Sequence, residues 1–232
     1  MTRALYAASV RSAEATEGRV TRHSFSFGPH YAPGNLGFGP LVCHNDDLLD
    51  PAAGYAEHPH AELEIVTWVL EGALVHTDST GARHVVDAGR AQVLSAGSGI
   101  RHSEVADVAS GRCRFIQAWL APSRPGTEPS YGLGEAPPAS SGLVEVAGGS
   151  GLPIGTVGAR LLVARLAAGD AVALPGDPAQ HVFAAAGAVT LDDADRDRGE
   201  LHPGDALRLT DEPGRTVTAT ADAELLVWSF AG

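Results

Sequence analysis

Short apolar segments, each closed by turn residues, follow one another along most of the chain. Those before residue 122 include LEIVTWVLEG (63–72), ALVHTDSTG (73–81), RHVVDAG (83–89), AQVLSAG (91–97) and CRFIQAWLA (113–121). Apolar runs of this length between Gly, Asp and Ser are typical of β-strands. The motif Asp78-Ser79-Thr80-Gly81 lies between two of them and predicts a hairpin turn. The pattern therefore predicts an all-β fold built from many short strands.

Residues 122–151 break this pattern because they are dense in Pro, Gly and Ser. Such a composition predicts a connection with little regular structure. A second set of strand-like segments follows, including RLLVARLAAG, HVFAAAGAVTL, ALRLTD and ELLVWSF. We therefore predict an N-terminal domain over 1–121, a Pro/Gly-rich connection over 122–151 and a C-terminal domain over 152–232.

The two halves share a spacing of glycines. Gly72, Gly89 and Gly99 recur as Gly187, Gly204 and Gly214, each at an offset of 115 residues, and each half ends in an apolar strand that carries Trp119 or Trp228. A repeated offset is the sequence signature of a duplicated unit. Each unit has the length of a small β-barrel or sandwich.

Charge narrows the classes of partner. The chain carries 28 acidic and 16 basic residues, a net charge of -12, and all the basic residues are arginines. A protein that neutralises phosphates needs a basic patch, and anionic lipid attracts basic surfaces, so direct nucleic-acid and membrane binding are disfavoured. The N-terminus lacks the apolar core of a signal peptide, and no apolar run is long enough to span a membrane. We expect a cytoplasmic protein in which Cys43 and Cys113 are buried free thiols.

Two short motifs contain residues that bind metals. His58-Pro59-His60 places two histidines at positions i and i+2, and His102-Ser103-Glu104 does the same for a histidine and a carboxylate. Residues two apart on a strand share a face, so adjacent strands would bring three imidazoles and one carboxylate together. That donor set suits Fe(II), Mn, Ni, Cu or Zn better than Ca or Mg, and the spacing does not distinguish among them.

The duplication supports this interpretation. At the offset of 115, His102 corresponds to Val217 and Glu104 to Ala219. The fold itself therefore does not require polar residues at these positions. We interpret the other histidines as structural: His76 and His84 as surface groups beside the hairpin turn, and His181 and His202 as residues that bind no metal. Capping and turn chemistry accounts for Asn45, Asp46 and Asp47.

Longer motifs resemble a known family. The spacing G54-x3-H58-P-H60-x3-E64-x7-G72, followed by G89-x12-H102, is similar to the two cupin motifs. The segments FSFG (25–28), NDD (45–47), EIVTWVLEGAL (64–74) and SAGSGIRHSE (95–104) resemble the signatures of the pirin family, and the match is dense over residues 24–104. The C-terminal half resembles the family only in outline.

The resemblance implies a bicupin, with two jelly-roll-like β-barrels packed face to face and a metal in the N-terminal barrel only. It implies His58, His60, His102 and Glu104 as ligands, with Fe(II) favoured. Many cupins use the earlier glutamate, here Glu64, as the carboxylate ligand; pirins use the later one, and we interpret Glu64 as a partner of an imidazole N–H or as a polar strand residue.

Pirins resemble quercetin 2,3-dioxygenase in activity, so we expect a dioxygenase that uses O2 to cleave a flavonol such as quercetin, releasing carbon monoxide. Glu104 would serve as the catalytic base that accepts the flavonol proton. The alternative is a non-catalytic, metal-binding pirin that acts on a protein partner as a co-regulator module. The family resemblance also favours a monomer. We interpret four aromatic residues as core residues: Phe25, Phe27, Phe38 and Trp119. Of these, Phe38 is the one we most expect to contact a ligand.

Overall fold

The computed structural model describes residues 2–135, 142–192 and 200–232. The described residues form strands and two short 3-10 helices, Ala8–Val10 and Val108–Ser110, which confirms the predicted all-β class. They divide into two compact units. The first unit comprises residues 12–135 and 152–157; the second comprises 2–11, 142–151, 158–192 and 200–232.

The first unit contains two antiparallel sheets. The larger has seven strands in the order β12-β9-β6-β11-β4-β3-β2, and the smaller has four in the order β5-β10-β7-β8. Their bounds are β2 Ser12–Thr16, β3 Arg19–His23, β4 Leu41–Leu49, β5 Gly54–His60, β6 Glu64–Glu71, β7 Ala73–Asp78, β8 Arg83–Asp87, β9 Ala91–Ser95, β10 Ile100–Ala106, β11 Cys113–Leu120 and β12 Ser130–Leu133.

The second unit repeats this plan with fewer residues. A six-stranded sheet has the order β1-β19-β16-β21-β14-β13, and a four-stranded sheet has the order β15-β20-β17-β18. Their bounds are β1 Thr2–Tyr6, β13 Val144–Ala147, β14 Ala159–Leu166, β15 Ala171–Ala173, β16 Ala179–Ala186, β17 Val189–Leu191, β18 Glu200–Leu201, β19 Ala206–Thr210, β20 Thr216–Ala219 and β21 Ala223–Phe230.

The boundaries of the units differ from the predicted domains. β1 pairs with β19 along its whole length, and the Ala8 N–H donates to Asp205 Oδ1 at 2.6 Å, so the first residues of the chain belong to the second unit. The predicted connection contains two strands, β12 and β13, which extend one sheet of each unit. Turn composition alone did not show that these residues complete the edges of both sheets.

The glycine spacing has a structural basis. Gly72 and Gly187 both have φ of 69° and both precede a strand, β7 and β17. A Cβ at Gly72 would collide with the Arg112 carbonyl, and one at Gly187 with the Asp222 carbonyl. Each unit therefore uses the same left-handed turn in close contact with the chain that enters its last core strand.

The interiors of the two units differ in polarity. The second unit has an apolar core of Val, Leu and Ala side chains that includes Val182, Leu207, Val217 and Val227. In the first unit, apolar clusters around Phe115 and Ile65 lie beside buried His, Gln and carboxylate side chains. Cys43 and Cys113 are buried free thiols, as expected. Within the part of the chain described, no helix is long and apolar enough to cross a bilayer.

Candidate metal centre

Three neighbouring strands of the four-stranded sheet carry the candidate ligands. On β5 and β10, His58 lies directly opposite His102. On β10 and β7, Glu104 lies directly opposite His76. Because residues two apart on a strand share a face, these pairs all project to the same side of the sheet. The register shifts by one residue on β5 between His102 and Glu104, which is a β-bulge.

His58, His60 and His102 form one compact group, and their ligand atoms all lie within 4.8 Å of one another. The Nε2 atoms of His58 and His60 are 3.0 Å apart. Two nitrogens that bind one ion at ~2.1 Å and at right angles would be separated by about this distance. The three imidazoles therefore have the geometry of ligands to a single cation.

The hydrogen bonds of His58 and His102 show which ring nitrogens could face a cation. The Nδ1–H of His58 donates to the Ala56 carbonyl at 2.8 Å, which directs the Nε2 lone pair toward His60. His102 is 1% exposed, and neither of its ring nitrogens has a hydrogen-bond partner among the described residues. A buried polar atom without a partner is costly. A divalent transition metal would coordinate one of these two nitrogens, so the residues present fit such an ion.

Burial keeps two of these imidazoles neutral. It lowers the pKa of His60 to about 4, with repulsion from His102 and His58 as the next cause. It lowers the pKa of His102 to about 3, with repulsion from His58 and His76 adding to the effect. At neutral pH both rings are uncharged and can offer a lone pair to a cation.

A second group shares His102 and consists of His76, His102 and Glu104, again within 4.8 Å. The interpretation of His76 as a surface group is wrong, because the residue is fully buried and its Nε2 lies 3.1 Å from Asp78 Oδ2. Leu74 shares its face of β7 and is also buried, which is the signal that could have predicted an inward histidine. His84 is partly buried and stacks on Tyr131 at 4.3 Å.

The Glu104 carboxylate is held by two glutamines that the sequence analysis did not single out. Gln92 Nε2 donates to Glu104 Oε1 at 2.6 Å, and Gln117 Nε2 donates to Oε2 at 2.7 Å. All three side chains are buried. The other three predicted ligands thus each share a group with His102. His58 and His60 belong to one group, and Glu104 belongs to the other, with His76.

Glu64 lies elsewhere in the first unit. It is buried, and its Oε2 accepts hydrogen bonds from the Ser95 hydroxyl at 2.6 Å and the Gly155 N–H at 2.9 Å. These contacts fasten residues 152–157 to the unit. A Cβ at Gly155 would approach the Glu64 carboxylate to 2.6 Å, so a larger residue there would displace the carboxylate.

The interpretation of Asn45, Asp46 and Asp47 as turn residues is also wrong. All three are buried within β4. Asp46 accepts a fork of two hydrogen bonds from Arg114, at 2.8 and 2.9 Å. The buried strand accommodates these polar side chains because each has a specific partner.

An open cleft of about 450 Å³ lies beside the histidine group, lined by His60, Ile100 and Arg101 among others. The Trp119 ring meets the His60 ring edge-on at 5.0 Å, and Phe27, which is exposed, lies edge-on to Trp119 at 6.1 Å. Trp119 is therefore an aromatic neighbour of His60, and Tyr55 lies beside His58 with ring centroids 6.1 Å apart. The histidine group therefore lies between an open cleft, reached through His60, and the ring of Trp119.

The chain forms two jelly-roll-like β units, and one of them gathers histidines and a glutamate on the inner face of a four-stranded sheet. These features define the class of cupin proteins with two barrels. Residues 7–120 match the family model described as Pirin. The chain belongs to the pirin family.

Some relatives match nearly the whole chain and others about half of it. A protein of Mycobacterium tuberculosis named "Putative quercetin 2,3-dioxygenase" is 43% identical over 96% of this chain and 93% of its own length. A protein of Escherichia coli named quercetin 2,3-dioxygenase is 43% identical over 47% of each chain. The crystal structure of the bacterial pirin YhhW from Escherichia coli in complex with nickel(II) superposes with a TM-score of 0.89, at 28% identity over 99% of both chains.

Proposed function

We propose that this protein is a metal-dependent dioxygenase that cleaves a flavonol such as quercetin. The observation that carries the proposal is the group of His58, His60 and His102, whose ring nitrogens converge beside an open cleft. The names of the mycobacterial and Escherichia coli relatives support the same activity. The overall reaction takes up both atoms of O2 and releases carbon monoxide, so it needs no separate reductant.

His58, His60, His102 and Glu104 would hold one divalent transition metal, with iron(II) the ion we expect. When bound, such an ion stabilises the deprotonated flavonol 3-hydroxyl, which makes the substrate electron-rich. The neutral imidazoles contribute no charge, so the single carboxylate leaves the site with a net positive charge that favours an anionic substrate. Trp119 and Phe27 would offer faces against which a flat aromatic ligand packs.

Glu104 would accept the proton of the flavonol hydroxyl. A carboxylate has about four lone-pair positions, of which the two glutamines occupy two and the metal one. One position stays available to a proton. Glu104→Gln removes this acceptor, so we expect turnover per bound metal to fall by about 100-fold or more. Equal turnover per bound metal in the variant would exclude the base role.

The test of the function begins with elemental analysis of the purified protein, which also identifies the metal. Metal-loaded protein is then incubated with quercetin in air while flavonol absorbance and carbon monoxide are measured. We expect the flavonol to disappear with release of carbon monoxide, and we expect His58→Ala to abolish both. His202→Ala is the matched control, because His202 is an exposed histidine of the second unit. Full metal occupancy without flavonol loss would instead favour the non-catalytic, partner-binding alternative.

A further inference from the structure

Three polar side chains lie in a row across the larger sheet of the first unit. Thr67 on β6 lies opposite Gln92 on β9 and opposite Gln117 on β11. All three are buried, with exposures of 0%, 1% and 6%. Buried amides in a barrel interior are destabilising unless every donor and acceptor has a partner, so their hydrogen bonds need a full account.

Each glutamine amide group is satisfied in the same way. One N–H of each donates to Glu104, and the other donates to the Thr67 hydroxyl at 3.2 Å. The Gln92 carbonyl accepts from the Tyr131 hydroxyl, and the Gln117 carbonyl accepts from the Trp119 indole N–H, both at 2.9 Å. The two amides therefore converge on the two oxygens of one carboxylate.

The direction of this network is fixed by Trp119. An indole N–H donates a hydrogen bond and cannot accept one. The Gln117 carbonyl must therefore face Trp119, and its NH2 group must face Glu104. If the amide turned over, its oxygen would lie against the carboxylate and the indole would face an N–H group. On the other side, the Tyr131 hydroxyl favours the matching orientation of Gln92.

We propose that Gln92 and Gln117 are positioning residues that hold the Glu104 carboxylate in the orientation that binds the metal, with Trp119 fixing the amide of Gln117 and Tyr131 favouring the matching orientation of Gln92. The proposal rests on the metal site of the proposed function. Holding both oxygens from the larger sheet leaves the lone pairs on the opposite side directed toward the imidazoles of the smaller sheet. A carboxylate fixed in this way loses less conformational freedom when it binds a cation.

The test measures nickel(II) affinity by competition with a chelator, in native protein and in Gln117→Met and Gln92→Met. Methionine preserves the length of the side chain and removes the amide. We expect each variant to bind nickel about 10- to 100-fold more weakly. Gln180→Met is the matched control, because Gln180 is 1% exposed in the second unit and donates to the Pro175 and Asp177 carbonyls. The control should bind nickel as native protein does.

A milder variant protects the test against misfolding. Tyr131→Phe keeps the ring that stacks on His76 and His84 and removes only the hydroxyl that orients Gln92. We expect a several-fold loss of nickel affinity and a shift in the visible spectrum of the cobalt(II)-loaded protein, since the field at the metal depends on the carboxylate orientation. A purely structural role would leave this spectrum unchanged in the variant that still folds.

Unchanged nickel affinity and an unchanged cobalt spectrum in a folded Gln92→Met, Gln117→Met double variant would overturn the proposal. That outcome would not decide whether the protein has the proposed dioxygenase activity. If native protein binds nickel and the iron-loaded form leaves quercetin intact, the proposed activity fails while the positioning role still holds. If native protein binds no nickel and His58→Ala changes nothing, both fail together.

Discussion

The two units place different residues at corresponding positions of the same sheet. In the first unit, the row Gln92–Thr67–Gln117 crosses β9, β6 and β11. In the second unit, the equivalent strands β19, β16 and β21 carry the row Leu207–Val182–Val227, with the same pairing across the sheet. All three members of the apolar row belong to the core of that unit.

The smaller sheets of the two units also differ in polarity, and the polar residues again belong to the first unit. The inward face of β10 carries His102 and Glu104, whereas β20 carries Val217 and Ala219, both in the apolar core. At these positions the second unit closes its interior with valine, leucine and alanine. The polar set of the first unit is therefore an addition that costs desolvation energy, and each of its members depends on the others for hydrogen bonds.

The largest expected effect is on metal content, and it should distinguish the buried His102 from the buried His181. His102→Ala removes the imidazole common to both candidate groups, and we expect it to abolish metal binding, measured by elemental analysis after dialysis against the metal. His181→Ala removes an equally buried histidine of the second unit, whose pKa burial lowers to about 3. We expect this control to keep its metal content. Loss of metal in both variants would mean that the fold as a whole, and not the histidine group, determines binding.

A second experiment replaces the polar row of the first unit with the apolar row of the second. Thr67→Val, Gln92→Leu and Gln117→Val together give the first unit the residues of the second and leave the Glu104 carboxylate buried without donors. We expect the free energy of unfolding of the metal-free protein to fall by about 3 kcal/mol, measured in urea. Adding Glu104→Leu removes the stranded carboxylate and should restore most of that loss. A triple variant as stable as the quadruple variant would show that the carboxylate does not depend on the row.

Local spacing explains which site residues could be predicted. His58 and His60, like His102 and Glu104, are two residues apart, and alternation along a strand places each pair on one face without knowledge of the tertiary fold. The repeated glycines likewise report a left-handed turn that each unit needs, so the all-β class and the duplication could be predicted.

The missed residues depend on pairing between distant strands. His76 reaches the site only because β7 pairs with β10, and Tyr131 only because residues of the expected connection form β12 against β9. Gln92 and Gln117 carry no spacing signal, since neither has a polar residue two positions away on its own strand. Nothing in the sequence of β1 identifies β19 as its partner, and for that reason the first strand was predicted in the wrong unit.

Asp47 extends the contrast between the units to a third strand. It is buried on β4 opposite Phe115, and the equivalent pair in the second unit is Ala164 opposite Leu225. The Thr21 and Tyr55 hydroxyls both donate to Asp47 Oδ1. Burial nevertheless raises the pKa of Asp47 to about 7, against the lowering effect of these two hydrogen bonds.

The raised pKa predicts how stability depends on pH. In the unfolded chain Asp47 loses its proton near pH 4, whereas in the folded protein it keeps the proton up to about pH 7. Its contribution to stability is therefore complete below about pH 4 and is lost as the pH rises through 7. Asp47→Asn keeps an oxygen for both hydroxyls and cannot ionise. Between pH 5 and pH 8 we expect its free energy of unfolding to rise relative to native protein by about 2 kcal/mol, measured in urea at each pH. If the difference in free energy of unfolding between the variant and native protein stays constant over this range, Asp47 ionises at its ordinary pKa. Its ionisation would then not distinguish the stability of the first unit from that of the second.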